Sequence, residues 1–221
     1  MHNIVNNLLS IQNELKIKIK KLKFENYNPN IVAVSKTFTI KDILPLINHG
    51  HLHFGENKVQ ESIEKWTSIK RDFKDIKLHM IGRLQTNKVK YVVPLFDYIH
   101  SVDSLKLAEK ISQQQVKNNK IMKLFIQINI GNENQKSGIL IDQLDNFYNK
   151  CTNDLGLNII GLMCLPPNDN KSQIYFSKMQ QLVRKLHIKD ISMGMSNDYL
   201  EAINYQSTYL RIGSKIFGER S

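Results

Sequence analysis

Cysteine is scarce in this chain of 221 residues, and the two present, Cys151 and Cys164, form no C-x-x-C pair. This argues against a disulfide or cysteine-metal site and favours two small buried side chains. No apolar run approaches the roughly 18 residues that a membrane-spanning helix needs. The first residues also lack the pattern of a secretion signal, because Asn3, Asn6 and Asn7 interrupt it. We therefore expect a soluble, cytoplasmic protein with no membrane partner.

Arginine is also rare, although the chain is basic, with 31 Lys and Arg against 20 Asp and Glu and a formal net charge of +11. Proteins that read nucleic acids favour clustered arginines interleaved with aromatic side chains. Here only five basic residues are arginines, and the lysines are dispersed apart from the run KIKIKKLK at 16–23. A solvated helix face explains that run better than an RNA site. A nucleic-acid-binding module is an alternative that the charge alone supports.

What the chain does contain is a regular alternation of strand and helix patterns. Apolar positions at helical spacing predict an N-terminal helix within residues 1–25. Buried strands are predicted at 31–34, 52–55, 78–82, 98–101, 124–130, 159–165, 191–193 and 209–213. Helical patterns lie between them, at 41–48, 59–69, 87–95, 105–116, 143–150, 173–186 and 198–205.

This alternation predicts the fold class. Strands that alternate with helices pair in parallel through right-handed crossovers, and eight strands are the number that a (β/α)8 TIM barrel needs. A doubly wound open sheet is the alternative. No G-x-G-x-x-G motif follows the first strand, which argues against a dinucleotide-binding version of that sheet. Because no linker or repeat divides the chain, we expect a single domain over residues 1–221.

Polar residues follow most of the predicted strands. In a TIM barrel the carboxyl ends of the strands meet at one mouth, where active sites lie. The sequence therefore predicts one polar site built from many strand ends. These ends include Ser35-Lys36-Thr37, Gly55-Glu56-Asn57, Gly82-Arg83, Asn129, Gly194-Met195-Ser196 and Arg211-Ile212-Gly213-Ser214.

Lys36 stands at the tip of a buried, wholly apolar strand. Desolvation at such a position favours the neutral amine, and a neutral amine is the nucleophile that Schiff-base chemistry requires. On position alone, a lysine that extends from the strand end into solvent is the better interpretation.

The ends of the last two strands favour a ligand-binding role for Lys36 over simple exposure to solvent. The loops after the seventh and eighth strands form the usual phosphate site of these barrels. Gly213 and Ser214 offer backbone N–H groups and a hydroxyl, and Ser196 offers a second hydroxyl, although it could also cap the helix near Asp198. Together with Lys36 they predict a ligand that carries both a carbonyl and a phosphate. Pyridoxal 5'-phosphate (PLP) fits that description.

Seven segments support this interpretation. In chain order they are IVAVSKT (31–37), FGENKVQES (54–62), HMIGRLQTNK (79–88), QINIGNENQKSGI (127–139), GLMCLPP (161–167), SMGMSNDYLEAI (192–203) and RIGSKIFGER (211–220). Their order and spacing resemble the PLP homeostasis proteins, also called the YggS or proline-synthetase co-transcribed family. The resemblance implies a barrel like the N-terminal domain of alanine racemase, with PLP held as an internal aldimine on Lys36.

The resemblance also implies roles for other residues. It places the PLP phosphate near Ser196, Gly213 and Ser214, sets Arg211 against the pyridine nitrogen, and lines the ring with Asn57 and Met163. The chain departs from the family pattern at two positions. Ser214 stands where a threonine is usual, and Arg83 stands where proline or histidine is common in HxIGxLQ.

Arg211 has a chemical consequence for function. A guanidinium cannot accept a hydrogen bond, so beside the ring nitrogen it keeps that nitrogen unprotonated and a poor electron sink. Racemisation also needs an acid–base group on each ligand face. Lys36 can serve one face, but this sequence shows no tyrosine-bearing second domain of the alanine-racemase kind to serve the other. We therefore expect a monomer that binds and buffers PLP and hands it to PLP-dependent apo-enzymes without classical turnover.

Two further alternatives remain open. A PLP-dependent amino-acid racemase is the enzymatic one. The other is a metal site at His49, His51 and His53, because alternate residues on a strand can share a face. Ordinary loop histidines explain these three residues better, and we expect no bound metal.

Overall fold

The computed structural model describes residues 4–133 and 135–218. The range predicted to contain the N-terminal helix, 1–25, includes residues 1–3, which the structure does not describe. The motifs at 127–139 and 211–220 likewise include positions 134, 219 and 220, which the structure does not describe.

Eight parallel strands close into a barrel in their order along the chain. They are β1 (Asn30–Val34), β2 (His53–Glu56), β3 (Lys77–Met80), β4 (Tyr98–Val102), β5 (Lys123–Ile128), β6 (Ile159–Cys164), β7 (Asp190–Met195) and β8 (Tyr209–Ile212). Pairing of β1 with β8, with Val32 opposite Arg211, closes the ring. The predicted (β/α)8 TIM barrel is thus confirmed, and the open sheet is excluded.

Helices alternate with these strands on the outside of the barrel. They are α1 (Ile4–Leu22), α2 (Ile40–Asn48), α3 (Val59–Asp72), α4 (Val89–Leu95), α5 (Leu105–Asn118), α6 (Leu144–Asn149), α7 (Ser172–Lys185), α8 (Tyr199–Asn204) and α9 (Ser214–Phe217). Among these described helices, none is long and apolar enough to cross a bilayer. The predicted end of α2 also holds, because Gly50 follows it with φ +91° and its N–H donates to the Ile47 carbonyl.

The third strand ends earlier than the sequence pattern predicts. It was expected to reach position 82, but β3 ends at Met80. A Cβ at Gly82 would lie 2.4 Å from the backbone oxygen of Asn57, so the chain leaves the sheet there to pass directly over the loop after β2. This close approach requires glycine and joins two strand ends at the mouth of the barrel.

Alternating side chains divide the core into two layers. Residues that face the helices, such as Phe54 and Leu78, pack with Trp66 in a large apolar layer. Residues that face the barrel interior include the smaller cluster of Val32, Tyr98, Phe125, Met163 and Tyr209. The interior also contains buried polar side chains, and these shape the functional site.

Both cysteines belong to the buried core, as predicted, and neither is bridged. Burial raises the pKa of the Cys151 and Cys164 thiols to about 12. These thiols therefore stay protonated near neutral pH and act as small apolar groups.

Candidate functional site

A cavity of about 730 Å³ opens at the carboxyl ends of the strands, and we call it the C-terminal cavity. Six of the seven predicted site residues line it, namely Lys36, Asn57, Ser196, Arg211, Gly213 and Ser214. The seventh, Met163, is not among its lining residues. It is fully buried in the barrel interior, where it packs in the cluster with Val32 and Phe125.

The backbone around Lys36 is held in one conformation. Lys36 follows β1 and is half-buried, and the next residue, Thr37, has φ +70°, which is uncommon for a β-branched residue. The Thr37 N–H donates to Glu61 Oε1 at 2.7 Å, which holds this turn from the side of α3. Left-handed conformations of this kind persist where the surroundings over-determine them, as at functional sites.

A group of hydrogen-bonded residues lies behind Lys36, and we call Ser35, Glu56, Glu61, Lys65 and Trp66 the Glu56 cluster. All of them are buried except Glu61, which is partly exposed. Glu56 Oε1 accepts hydrogen bonds from Ser35 Oγ at 2.8 Å, Lys65 Nζ at 3.0 Å and Trp66 Nε1 at 2.9 Å. Lys65 Nζ also donates to the Ser35 carbonyl at 3.0 Å and to Glu61 Oε1 at 2.9 Å. The residues on both sides of Lys36 are therefore tied to one buried ion-pair network.

Sequence reasoning recorded Glu56 only as part of a strand end and missed Lys65. The available signal is alternation along β2, in which Phe54 and Glu56 share the face that packs on the helices. A carboxylate on that face needs a partner from the covering helix, and Lys65 of α3 supplies it.

Hydrogen-bond donors converge near the ends of β7 and β8. Ser196 Oγ accepts from the backbone N–H groups of Gly213 at 3.3 Å and Lys215 at 3.4 Å. Ser214 is exposed at the first position of α9. The alternative role of Ser196 as a cap of α8 is wrong, because α8 begins after Asp198 and no side-chain cap bond forms there.

Arg211 carries a buried positive charge at the floor of the cavity, with 4% of its surface exposed. Its Nη1 donates to Ser192 Oγ at 2.5 Å and its Nη2 donates to the Cys164 carbonyl at 2.8 Å. Among the described residues, no carboxylate lies within ion-pair distance of Arg211. Burial lowers the pKa of the guanidinium, which nevertheless remains charged in proteins.

Two other polar residues border the cavity. Asn57 lines it, and its Oδ1 is buried without a hydrogen-bond partner. Arg83 is exposed and lines a smaller adjoining cavity of about 220 Å³, together with Gln127 and Lys136. The unusual arginine thus adds positive charge beside the C-terminal cavity.

Two of the three histidines of the possible metal site have other partners, and the third, His49, is exposed. His51 Nε2 lies 2.9 Å from the His53 carbonyl oxygen, and His53 Nδ1 lies 2.9 Å from His79 Nε2. Within residues 4–133 and 135–218, no three His, Cys, Asp or Glu side chains are grouped to hold a metal ion. Burial lowers the pKa of His51 and of His53 to about 4.

The involvement of His79 and His100 was missed from the sequence. Both are fully buried inside the barrel, and His79 Nδ1 lies 2.9 Å from His100 Nε2. The signal was available in part, because His53, His79 and His100 alternate with helix-facing residues on three consecutive strands. Alternation places them inside a barrel, but it gives no indication that their rings meet.

Comparison with known proteins adds a family and a fold. Residues 11–221 match the family model described as alanine racemase, N-terminal domain. A curated relative from Haemophilus influenzae, named pyridoxal phosphate homeostasis protein, is 36% identical and covers 99% of this chain and 97% of its own length. A relative of the same name from Escherichia coli K12 is 33% identical over 100% of this chain and 98% of its own length.

Solved structures agree with this result. PipY of Synechococcus elongatus PCC7942, solved with PLP bound, is 29% identical and superposes with a TM-score of 0.79, covering 92% of this chain and all of its own. An alanine racemase from Clostridium difficile superposes with a TM-score of 0.73 at 15% identity, and the match covers 57% of that chain. At that identity the racemase shows a shared fold alone.

Proposed function

Because the chain belongs to the family of pyridoxal phosphate homeostasis proteins, built on the alanine racemase N-terminal domain, we propose that it binds PLP in the C-terminal cavity. The observation that carries this proposal is the convergence on one cavity of a lysine, a buried guanidinium and a set of hydroxyl and N–H donors. The lysine matches the aldehyde of PLP, the guanidinium matches its ring nitrogen, and the hydroxyl and N–H donors match its phosphate.

The phosphate end and the ring end fit separately. The backbone N–H groups of Gly213 and Lys215 both donate to Ser196 Oγ, so these three groups lie together, and N–H and hydroxyl donors of this kind suit a phosphate. The buried charge of Arg211 has neutral partners on the protein side, so it is available to an anionic ligand with an acceptor in its ring. The Asn57 amide, with an oxygen that lacks a partner, is available to the ring substituents.

Lys36 would hold the ligand covalently. PLP would supply an aldehyde, and the Lys36 amine is the group that would condense with it, with the release of one water molecule. The Glu56 cluster fixes the backbone on both sides of Lys36, so the amine is presented from an ordered turn. We assign to the other residues the roles of binding and orientation, with Ser214 near the phosphate and Met163 lining the ring as further predictions.

We infer that the protein stores and transfers PLP and performs no classical turnover. Arg211 donates hydrogen bonds and cannot accept them, so a ring nitrogen held beside it would stay unprotonated and would withdraw electrons weakly. This supports a carrier more than a racemase. A cytoplasmic monomer that delivers PLP to apo-enzymes completes the proposal.

The test compares binding, transfer and turnover in one preparation. We expect purified protein to take up PLP with a visible absorption band and to restore activity to an apo-enzyme that depends on PLP. No conversion of L- to D-amino acids and no transamination should be measurable above background. Robust racemisation that Lys36→Ala abolishes would establish the enzymatic alternative instead.

A further inference from the structure

A line of buried polar side chains runs through the barrel from Arg211 toward the opposite end. Ser192 on β7 accepts from Arg211 Nη1 and lies 2.8 Å from His100 Nδ1 on β4. His100 and His79 follow at 2.9 Å, and His79 and His53 at 2.9 Å. Ser192, His79 and His100 are fully buried, so these hydrogen bonds are shielded from water.

The far end of this line reaches a second cavity. His53 is the first residue of β2 and therefore lies at the amino ends of the strands. There it lines a cavity of about 760 Å³, together with Tyr27 and Lys16. We call it the N-terminal cavity. The side chains of His53, His79, His100 and Ser192 therefore connect the two ends of the barrel, and we call them the histidine relay.

We propose that the histidine relay is a positioning device for the cofactor site, which orients the Arg211 guanidinium through hydrogen bonds that all run in one direction. The inference rests on the proposed function, because Arg211 matters most when it meets the PLP ring. It adds four residues that act through Arg211 and lie outside the C-terminal cavity.

Arg211 sets the direction because a guanidinium can only donate. Ser192 accepts from it and has one proton of its own, which goes to His100 Nδ1. His100 must then carry its proton on Nε2 and donate to His79 Nδ1, and His79 must donate from Nε2 to His53 in the same way. If the hydrogen bonds between the histidines ran in the reverse direction, Arg211 Nη1 and His100 Nδ1 would both donate to Ser192 Oγ. The serine proton would then have no acceptor within the relay.

The surroundings hold the rings in place and keep them neutral. His79 stacks on Tyr98 with ring centroids 4.1 Å apart, and His100 stacks on Phe125 at 4.3 Å. Burial lowers the pKa of both histidines well below the usual range, and the charge of Arg211 lowers that of His100 further. Neutral partners orient Arg211 without compensating its charge, which stays available to the ligand.

The direct test measures the tautomers by nitrogen-15 NMR of the PLP-free protein at pH 7, with each histidine assigned from a single variant. We expect His79 and His100 to carry the proton on Nε2. A proton on His100 Nδ1 would overturn the proposed direction. This result does not depend on PLP, so a protein with the expected tautomers that fails to bind PLP would contradict the proposed function and leave the relay standing.

The positioning role is tested by Ser192→Ala, with Ser207→Ala as its control. Ser207 is also fully buried, but its hydroxyl bonds to the backbone of Met193 on β7 and takes no part in the relay. We expect Ser192→Ala to shift the visible band of bound PLP and to weaken binding by about tenfold, the size of one hydrogen bond to a charged group. An unshifted band, or an equal shift in Ser207→Ala, would overturn the positioning role.

Two variants at His53, the far end of the relay, test whether a change there alters the environment of bound PLP. Asn Oδ1 occupies the place of the imidazole Nδ1, so His53→Asn keeps the acceptor for His79, whereas His53→Leu removes it. We expect His53→Leu to shift the PLP band in the same direction as Ser192→Ala, and His53→Asn to restore the native band. Native spectra in both variants would limit the relay to its inner members and overturn its extension to His53.

Discussion

Two buried polar networks flank the C-terminal cavity, and they differ in charge. The Glu56 cluster lies between β2 and α3 and holds the turn that carries Lys36. The histidine relay lies inside the barrel and holds Arg211. The first contains an ammonium between two carboxylates, whereas the second contains neutral side chains alone.

The difference follows from what each functional residue must offer. Lys36 has to present an amine from a fixed backbone, so its supporting residues can carry charges that compensate one another. Arg211 is itself the charge that the site offers, and a carboxylate beside it would compete with an anionic ligand. Under the proposed function, the neutral acceptors Ser192 and the Cys164 carbonyl orient the guanidinium, and its charge would be available to PLP.

Breaking the Glu56 cluster should have the largest effect. Lys65→Met leaves the fully buried Glu56 carboxylate without its cation, which we expect to lower the free energy of unfolding by about 3–5 kcal/mol. Urea denaturation measures this change. Lys185→Met is the matched control, because its pair with Asp145 is largely exposed and should contribute at most about 1 kcal/mol. Equal losses in both variants would contradict the structural role of the cluster.

Removing the charge of Arg211 should separate affinity from stability. Arg211→Met is expected to weaken PLP binding by about 1.5–3 kcal/mol, the value of a hydrogen bond to a charged group. The PLP-free protein should lose no stability, because the variant removes a buried charge that has no counter-ion among the described residues. Titration with PLP measures the affinity, and urea denaturation of the PLP-free protein measures the free energy of unfolding. A destabilisation as large as that of Lys65→Met would remove the distinction between the two networks.

Acid should destabilise the protein through its buried histidines, which are His51 and the three histidines of the relay. Burial lowers the pKa of His51 and His53 from 6.5 to about 4, and lowers that of His79 and His100 as well. The unfolded chain therefore binds more protons between these values, so the free energy of unfolding is highest above pH 6.5 and falls toward pH 4. Each histidine contributes about 1.4 kcal/mol per pH unit in that range.

Denaturation curves at several pH values measure this slope. His53→Asn removes one of the titrating groups while it keeps the acceptor for His79, so its slope should be smaller by the share of one histidine. A stability that does not change between pH 6.5 and pH 4.5 would show that the rings take up protons as readily in the folded protein as in the unfolded chain, which would contradict the lowered pKa values.

The smallest effect is expected at the phosphate end. Ser196→Ala removes one hydroxyl from a group of donors that includes backbone N–H groups, so binding of PLP should weaken by about 1 kcal/mol, or roughly fivefold. Binding of pyridoxal, which lacks the phosphate, should stay at its native value. Equal losses for both ligands would place Ser196 away from the phosphate.

The barrel and most of its mouth follow from local patterns in the sequence. Alternating strands and helices predict the fold, and strand ends predict the cavity that Lys36 and Arg211 share, because all carboxyl ends of the strands meet there. The supporting networks do not follow in the same way. His100 and Ser192 are 92 positions apart, and their contact depends on closure of the whole barrel.

Met163 lies on a predicted strand and in a family motif, and its side chain is buried in the interior cluster, outside the lining of the cavity. Alternation along β6 gives the inward direction of this side chain, but it does not give its depth below the mouth of the barrel. Its place at the PLP ring stays a prediction.

The proposed function depends above all on covalent binding of PLP by Lys36 in the C-terminal cavity. The most direct measurement is the visible spectrum of protein incubated with PLP, before and after borohydride, followed by peptide mass analysis. We predict a yellow band that borohydride removes, a pyridoxyl adduct on the peptide that contains Lys36, and neither signal in Lys36→Ala. A protein that stays colourless with added PLP, or an adduct confined to other lysines, would contradict the account.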